Sequence, residues 1–382
     1  MRFWRKNKYH IVSVRDFRTS LGFDINAQDM FAKLSVAFLA LVSTAIAIPT
    51  IAGRSPKVQG KLPLPAYTVA QWPQQPSWLE NIAVRANGDL LVTQFNPTPV
   101  LYTVTNPMSK RAEPKAIYEF TSITKILGII ETHPDTFVIV GGNATANATG
   151  YAGSFSAWEV RFSKSTMQTT KIADITDAMF LNGVVSVPTA PHIVLIADSQ
   201  FGLLFRLDTK TGASEIIADR PEFKPNAERF NAPVGFGING VKIKDGYLYF
   251  SNSNLVNIYR VPITRDGYIA RGGHAAVELY ADLNSLTTFL DDFEIGKEGT
   301  LWVTTNTDNT IIAVSPGGRR LQVVAGAKDQ LTVAGATGAA FGRTAKDRHV
   351  LYVSTTGGLG APVNATVVEA GKVEGIDTGE WC

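Results

Sequence analysis

One stretch of the chain reads Asn239-Gly-Val-Lys-Ile-Lys-Asp-Gly-Tyr-Leu-Tyr-Phe-Ser-Asn-Ser253. Apolar and polar residues alternate through Val241 and Ile243, which is typical of a β-strand with one buried face. Asp245-Gly246 then provides a tight turn, and Tyr247-Leu-Tyr-Phe250 begins a second strand. A single hairpin cannot bury its own apolar face, so the stretch predicts a fold in which several hairpins pack together.

The same pattern recurs along the chain. Asn182-Gly-Val184 leads to a strand that ends at Asp198-Ser199, and Asp291-Asp-Phe293 leads to Leu301-Trp-Val-Thr304. Units of this kind start at six positions: Glu80, Gly128, Asn182, Asn239, Asp291 and Gly338. Their spacing of roughly 47 to 57 residues, with about four short strands in each unit, predicts an all-β, six-bladed β-propeller. An irregular β-sandwich is the alternative architecture.

Composition divides the remainder of the chain into segments. Residues 1–33 are basic, and residues 34–53 contain no charged side chain over a length that would span a bilayer. Residues 54–76 contain several prolines and few charges, which suggests a linker that ends in a strand able to close the propeller. The six-bladed propeller itself is predicted over residues 77–382.

The uncharged segment, residues 34–53, has two main interpretations. It is a transmembrane anchor, whose basic flank would leave the propeller in the lumen or outside the cell. Alternatively, it is the apolar region of a secretory signal, because Ala45-Ile-Ala47 resembles a small-x-small cleavage site. A buried core helix is a third option. Both main interpretations predict a protein of the secretory pathway, anchored to the membrane if the segment is uncleaved and secreted if it is cleaved.

Three further features of the sequence concern the cellular compartment of the protein and the molecules that it binds. Sequons for N-glycosylation occur at Asn143, Asn147 and Asn364. Cys382 is the only cysteine, which excludes an intrachain disulfide and a cysteine metal cluster. The net charge is +3, but the basic residues 1–33 account for the surplus, so no nucleic-acid partner is predicted.

The first strand of each propeller blade lies against the central channel, so the residues that open the units are expected to converge there. Four of them are polar: Glu80, Asn182, Asn239 and Asp291. Their carboxylate and amide oxygens suit one hard divalent cation, Ca²⁺ before Mg²⁺ or Mn²⁺, and no organic cofactor is predicted. The same four residues are the candidate catalytic groups. The alternative is that they only satisfy turns where strands begin.

These residues carry a resemblance. From about residue 64 to about residue 376, the chain resembles the senescence-marker-protein, gluconolactonase and regucalcin-like superfamily of six-bladed propellers, in which Glu, Asn, Asn and Asp hold a divalent metal. The matching positions are Glu80, Asn182-Gly183, Asn239-Gly240 and Asp291. The chain departs from the family pattern at Asn81-Ile82, at Gly237-Ile238 and at Asp292-Phe293. The second aspartate leaves open whether Asp291 or Asp292 faces the channel.

A narrower resemblance is to fungal propellers of natural-product pathways, some of which are hetero-Diels-Alderases that join a quinone methide to a polyene such as humulene. It rests on four short stretches: Leu79–Arg85, Leu181–Val184, Ala197–Ser199 and Asp291–Phe293. The resemblance implies a cycloaddition of two hydrophobic small molecules at the channel mouth. Candidate substrate-binding residues are Trp78, Phe95, Phe201, Phe236 and Asp292.

Two other functions remain open. One is a lactonase or ester hydrolase that depends on a divalent metal, with Asp291 as ligand and base. The other is a noncatalytic propeller that binds a ligand or a partner. A condensation of the strictosidine-synthase type is a weaker option within the same group of folds.

Overall fold

The computed structural model describes residues 61–164, 166–226 and 235–381. Within these ranges the regular structure is 24 β-strands and two short 3-10 turns, at Pro221–Phe223 and Asn306–Asp308. The proposed anchor or signal segment, residues 34–53, lies outside the described residues. None of the described residues belongs to a helix that is long and apolar enough to cross a membrane.

The strands form six antiparallel sheets of four strands each. The strands of the first three sheets, from the inner to the outer edge, are β2 (Trp78–Val84), β3 (Leu90–Asn96), β4 (Val100–Val104) and β5 (Pro114–Glu119); β6 (Lys125–His133), β7 (Thr136–Gly142), β8 (Ser156–Phe162) and β9 (Met167–Asp174); and β10 (Leu181–Val187), β11 (Ala190–Asp198), β12 (Leu203–Asp208) and β13 (Ser214–Asp219).

The remaining three sheets follow the same order. Their strands are β14 (Ile238–Lys244), β15 (Tyr247–Asn252), β16 (Asn257–Pro262) and β17 (Glu278–Asp282); β18 (Phe293–Ile295), β19 (Leu301–Thr304), β20 (Thr310–Val314) and β21 (Leu321–Gly326); and β22 (Ala336–Phe341), β23 (Val350–Thr355), β24 (Lys372–Asp377) and β1 (Ala66–Gln71).

The inner strands of the six sheets form a closed ring. Each inner strand contacts the inner strand of the next sheet, and β22 of the last sheet contacts β2 of the first. The outer strand of the last sheet is β1, which pairs with β24 through Ala66 opposite Ile376 and Tyr67 opposite Gly375. The predicted six-bladed propeller is therefore confirmed, and the β-sandwich alternative is wrong.

The stretch from Asn239 to Ser253 forms the first hairpin of the fourth blade. Asp245 and Gly246 have φ angles of 51° and 78°, the positive values that a two-residue turn of type I′ requires. Val241, Leu248 and Phe250 are fully buried between blades. The alternation seen in the sequence thus reflects packing of one blade against its neighbour.

A β-bulge interrupts the inner strands at equivalent positions. In β10, Asn182 and Gly183 together stand opposite one residue of β11, and in β14 Asn239 and Gly240 do the same opposite β15. In the second and sixth blades, the residues equivalent to these asparagines are Leu127 and Thr337. The expectation that Gly128 and Gly338 occupy the asparagine position is wrong by one residue, because the glycine is the second member of the bulge.

The glycine of each bulge allows adjacent blades to come close together. A Cβ atom on Gly183 would lie 2.2 Å from the carbonyl oxygen of Asn239 in the next blade. A Cβ on Gly128 would lie 2.2 Å from the carbonyl oxygen of Asn182, and a Cβ on Gly240 would lie 2.3 Å from Asp292 Oδ1. These positions exclude any side chain because the neighbouring blade occupies the space.

We expect Gly183→Ala to lower the free energy of unfolding by about 1–3 kcal/mol or more, because the added methyl group must displace backbone of the next blade. Urea denaturation followed by tryptophan fluorescence measures the change. Gly360→Ala is the matched control, since a Cβ at that exposed position meets its nearest neighbour, Asn306 Oδ1, at an ordinary 3.4 Å. Equal stability of the two variants would contradict this account of blade packing.

Candidate active site

Four polar residues converge at one end of the central channel. Glu80, Asn182, Asn239 and Asp291 are all buried, and all line a single cavity of about 740 Å³. They come from the first, third, fourth and fifth blades, at the bulge positions or just before the inner strand. We call this group the polar floor of the cavity. The structure therefore brings together the four residues that the repeat pattern selected.

Hydrogen bonds connect the polar floor to two residues that line the same cavity, Asn306 and Trp78. Asp291 Oδ1 accepts from Asn239 Nδ2 at 3.0 Å, and Asp291 Oδ2 accepts from Asn306 Nδ2 at 2.8 Å. Glu80 Oε2 accepts from Trp78 Nε1 at 2.6 Å. The amide oxygens of Asn239 and Asn306 are buried without a hydrogen-bond partner among the described residues. These two acceptors are available to a bound ligand.

Burial changes the protonation of the two carboxyl groups. Loss of solvation raises the pKa of Asp291 to about 7, and the charge of Asp292 adds to this, while hydrogen bonds from Asn306 and Asn239 oppose it. Burial also raises the pKa of Glu80 well above its ordinary value, with a further contribution from the charge of Asp291. Both carboxyl groups therefore release their protons at higher pH than exposed carboxyl groups do.

A continuous row of aromatic rings forms the wall above the polar floor. Successive ring centroids lie 5.1 to 6.3 Å apart in the order Trp78, Phe95, Phe180, Phe236 and Phe289. All five side chains line the cavity. Three of them stand two positions before a residue of the polar floor, at the spacing that places side chains on the same side of an extended chain. Phe180 and Phe289 were not among the residues chosen from the sequence.

Lys125 is the one basic residue among the described residues that line this cavity. Its Nζ donates a hydrogen bond to Asn96 Oδ1 and lies 4.9 Å from the centroid of the Phe95 ring. Burial lowers the pKa of Lys125 because the charged ammonium loses solvation. Sequence reasoning missed this residue. Its position was a usable signal, because Lys125 stands two positions before Leu127, just as Trp78 stands two positions before the equivalent residue of the first blade, Glu80.

Two residues chosen from the sequence lie elsewhere. Phe201 is 43% exposed and does not line the cavity. Asp292 lines a second cavity of about 760 Å³, formed by later residues of the inner strands. There Asp292 Oδ1 accepts from Lys242 Nζ at 2.8 Å, and Asp292 Oδ2 accepts from Asn81 Nδ2 at 3.0 Å. Asp291 is therefore the aspartate of the polar floor.

The three sequons occupy different environments. Asn364 and Asn147 are exposed, and Asn147 also lines the cavity mouth. Asn143 is half-buried, and its Oδ1 accepts a hydrogen bond from the Thr124 backbone amide at 3.1 Å. Glycosylation at these positions stays a prediction from the sequence.

The fold and the cavity together define a six-bladed propeller with a cavity lined by aromatic rings, amides and carboxyl groups at one end of its channel. No protein-family model matches the chain. A Sarocladium schorii protein named as a hetero-Diels-Alderase, asR5, is 32% identical over 344 residues, which cover 83% of this chain and 84% of the relative. A Phoma sp. protein also named as a hetero-Diels-Alderase is 33% identical over 317 residues, covering 77% and 87%. The chain belongs to this hetero-Diels-Alderase family.

Solved structures with the same fold are more distant in sequence. A calcium-binding protein, regucalcin, from Agrobacterium tumefaciens superposes with a TM-score of 0.58 at 12% identity, covering 83% of this chain and 95% of that one. A luciferin-regenerating enzyme gives a TM-score of 0.56 at 12% identity, covering 82% and 95%. These similarities establish the regucalcin-type six-bladed propeller as the fold.

The raised pKa of Asp291 predicts a specific dependence of stability on pH. The folded protein holds the Asp291 proton more tightly than the unfolded chain, so the contribution is present below about pH 4 and is lost as pH rises toward about 7. We expect the stability of the wild type to fall relative to Asp291→Asn over this range, by at most about 1.4 kcal/mol per pH unit.

Urea denaturation from pH 4 to pH 8, with a chelator present, measures this difference. The same substitution at the exposed Asp329 is the control and should leave the pH profile of stability unchanged. A constant difference between wild type and Asp291→Asn at every pH would contradict the assignment of a raised pKa to Asp291.

Proposed function

We propose that this protein catalyses a hetero-Diels-Alder cycloaddition between an electron-poor quinone methide and a hydrophobic polyene. The observation that carries the proposal is the cavity itself, in which a row of five aromatic rings stands above a floor of buried carboxyl and amide groups. Membership of the hetero-Diels-Alderase family supports the class of reaction.

Holding the two reactants together supplies the largest part of the rate acceleration. A volume of about 740 Å³ lies in the upper part of the range for sites that enclose small molecules. The rings of Phe180, Phe236 and Phe289 offer the polyene an apolar surface, which removes it from water and restricts its orientation. A fixed near-attack geometry converts a bimolecular reaction into one that is effectively unimolecular, and it selects one stereochemical outcome.

The polar floor acts on the oxygen of the quinone methide. Negative charge develops on this oxygen as the new bonds form, and hydrogen-bond donors placed beforehand stabilise it. Burial raises the pKa of Glu80 and so favours its protonated form, which would donate a hydrogen bond to the carbonyl oxygen. The amide of Asn182 provides a second donor, and Asp291 orients Asn239 and Asn306 through its hydrogen bonds.

A divalent cation, Ca²⁺ before others, is the proposed alternative to the Glu80 proton at the polar floor. The donors fit a hard cation, because Glu80 and Asp291 offer carboxylates while Asn182 and Asn239 offer amide oxygens. The unpartnered Oδ1 of Asn239 is a free ligand position among the described residues. When bound, the cation would polarise the carbonyl oxygen as a Lewis acid. No three His, Cys, Asp or Glu side chains of the described residues gather at metal-ligand spacing, so amide oxygens would complete the site.

The second candidate function is hydrolysis of a lactone or ester by a bound cation. The observation that favours it is the pair of unpartnered amide oxygens beside two carboxyl groups. Asp291, with its pKa near neutrality, would serve as the base that removes a proton from water. A propeller that binds a hydrophobic ligand without catalysis is the third candidate.

Incubation of the full chain with a quinone-methide precursor and a polyene tests the first candidate. We expect a faster reaction than in buffer and a single stereoisomer of the adduct. Phe236→Ala should lower the rate about tenfold or more, because the polyene loses part of the surface that positions it. Phe201→Ala is the matched control and should have no effect, since this ring does not line the cavity.

Chromatography on a chiral column measures both the rate and the stereochemistry. The proposal fails if the wild type gives the uncatalysed rate and the uncatalysed mixture of isomers. Binding of the polyene without any acceleration would instead favour the noncatalytic candidate.

Calcium should raise the melting temperature of the wild type, because a ligand that binds only the folded state adds about 2.7 kcal/mol of stability at 100 times its Kd. Glu80→Gln should abolish the shift. Asp292→Asn should retain it, since this neighbouring aspartate lines the other cavity. Thermal denaturation with calcium and with a chelator measures the shift; its absence in the wild type would exclude calcium from the polar floor.

Assays with and without the chelator then separate the two enzymatic candidates. Lactone hydrolysis that stops on chelation and returns with calcium supports the second candidate. Cycloaddition that continues unchanged on chelation assigns the catalysis to the protein groups alone.

A further inference from the structure

The cavity wall contains a buried positive charge that the proposed reaction does not yet use. Lys125 is 5% exposed, and no carboxylate of the described residues lies within ion-pair distance of it. Its neighbours are the neutral oxygen of Asn96 and the face of the Phe95 ring. A buried ammonium is normally paired with a carboxylate, because removing it from water costs several kcal/mol.

The surroundings of Lys125 fix its position and leave binding capacity. Asn96 is itself held in place, because its Nδ2 donates to the carbonyl oxygen of Ala146 at 3.0 Å. An ammonium group carries three N–H donors, and Asn96 Oδ1 accepts one of them. Phe95 stabilises the charge through its ring face but accepts no conventional hydrogen bond. Lys125 therefore presents further donors and an uncompensated charge within the cavity that it lines.

The second blade reverses an arrangement that three other blades lining this cavity share. In the first, third and fifth blades, an aromatic wall residue stands two positions before a polar floor residue: Trp78 before Glu80, Phe180 before Asn182 and Phe289 before Asp291. In the second blade, Lys125 stands two positions before the fully buried Leu127. Lys125 therefore occupies a position equivalent to the residues of the aromatic wall, whereas Glu80 and Asp291 occupy positions of the polar floor.

We propose that Lys125 binds an acidic oxygen of the oxygenated substrate, so that this quinone methide also carries a phenol or enol hydroxyl, which is recognised in its ionised form. The charge of Lys125 attracts such an oxygen, whereas the polar floor binds the carbonyl oxygen of the same partner. Each reactant consequently binds in its own part of the cavity. The oxygenated partner lies at Lys125, and the hydrocarbon partner lies along Phe180, Phe236 and Phe289. The inference rests on the proposed function for the identity of the reactants, but the anion site is testable without it.

The binding experiment uses 4-nitrophenol and its methyl ether 4-nitroanisole, of which only the first can ionise. The absorbance of 4-nitrophenol reports its ionisation directly. With the full chain, we expect the anion to appear at a pH at which free 4-nitrophenol is mostly neutral, and we expect 4-nitroanisole to bind at least tenfold more weakly. Lys125→Met should abolish both differences, and Lys125→Arg should retain much of them because the charge is preserved.

Lys171→Met is the matched control. Lys171 also lies over an aromatic ring, at 5.7 Å from the centroid of Trp158, but it is exposed and outside the cavity. This variant should bind both probes as the wild type does. Circular dichroism establishes that each variant is folded. Equal affinity of the wild type for the two probes, or an anion signal that survives in folded Lys125→Met, would overturn the inference.

The kinetics of cycloaddition provide a second test of the role of Lys125. With a quinone methide that carries a further phenolic hydroxyl, Lys125→Met should raise KM tenfold or more, whereas the analogue in which only that further hydroxyl is methylated should give similar KM values with the wild type and the variant. If the anion site is present and cycloaddition is absent, the inference stands and the proposed function fails. If cycloaddition proceeds and is indifferent to Lys125→Met, the proposed function stands and the inference fails.

Discussion

The close approach of neighbouring blades at the inner-strand bulges is the constraint on which the site depends. Gly183 has no room for a side chain because the carbonyl oxygen of Asn239 would lie 2.2 Å from its Cβ. Ser251 reinforces the contact: its Oγ accepts from the Gly240 amide at 2.9 Å and donates to the carbonyl oxygen of Asp291 in the next blade at 2.7 Å. Two further hydroxyls bridge to the next blade in the same way: Thr93 to the Leu127 carbonyl at 2.7 Å and Thr304 to the Thr337 carbonyl at 2.9 Å. The backbone of the polar floor is therefore fixed by packing and hydrogen bonds that involve no ligand.

This fixed backbone makes a costly arrangement of side chains possible. Glu80 and Asp291 are carboxyl groups buried in one cavity, and burial raises the pKa of each. Such groups weaken the folded state at neutral pH, a cost that the extensive apolar packing between blades offsets. In the proposed cycloaddition, the same burial would favour the protonated form of these carboxyl groups, which is a hydrogen-bond donor for an oxygen that gains negative charge. Asp292, one residue further on, lines the other cavity and forms an ion pair with Lys242 there. Two adjacent aspartates therefore line two different cavities of the channel.

The repeat pattern was sufficient to predict the six blades and the convergence of Glu80, Asn182, Asn239 and Asp291, because equivalent positions in a ring of repeats meet at its centre. The repeat pattern does not predict which way a side chain points when neighbouring positions in the repeat have similar residues or when the residue lies outside the repeated positions. Asp291 and Asp292 are chemically equivalent in the sequence, and only the backbone at the start of the fifth blade separates them. Asn306 lies in a short 3-10 turn outside the repeated positions, so no periodicity selects it. Phe201 was misplaced because its backbone amide donates to Asp198 Oδ1 at 2.9 Å, in a turn that leaves its ring exposed. Lys125 was overlooked because its importance lies in the absence of a counter-charge among the described residues, which a sequence does not display.

We propose that both reactants occupy the cavity between the polar floor and the aromatic wall. A crystal structure of the protein soaked with the cycloadduct is the decisive measurement. We expect electron density for the adduct between Asp291 and Phe236, with an oxygen of the adduct within hydrogen-bond distance of a polar floor residue or of Lys125. An adduct bound instead in the second cavity, beside Asp292 and Lys242, would show that the cavity above the polar floor does not hold the reactants.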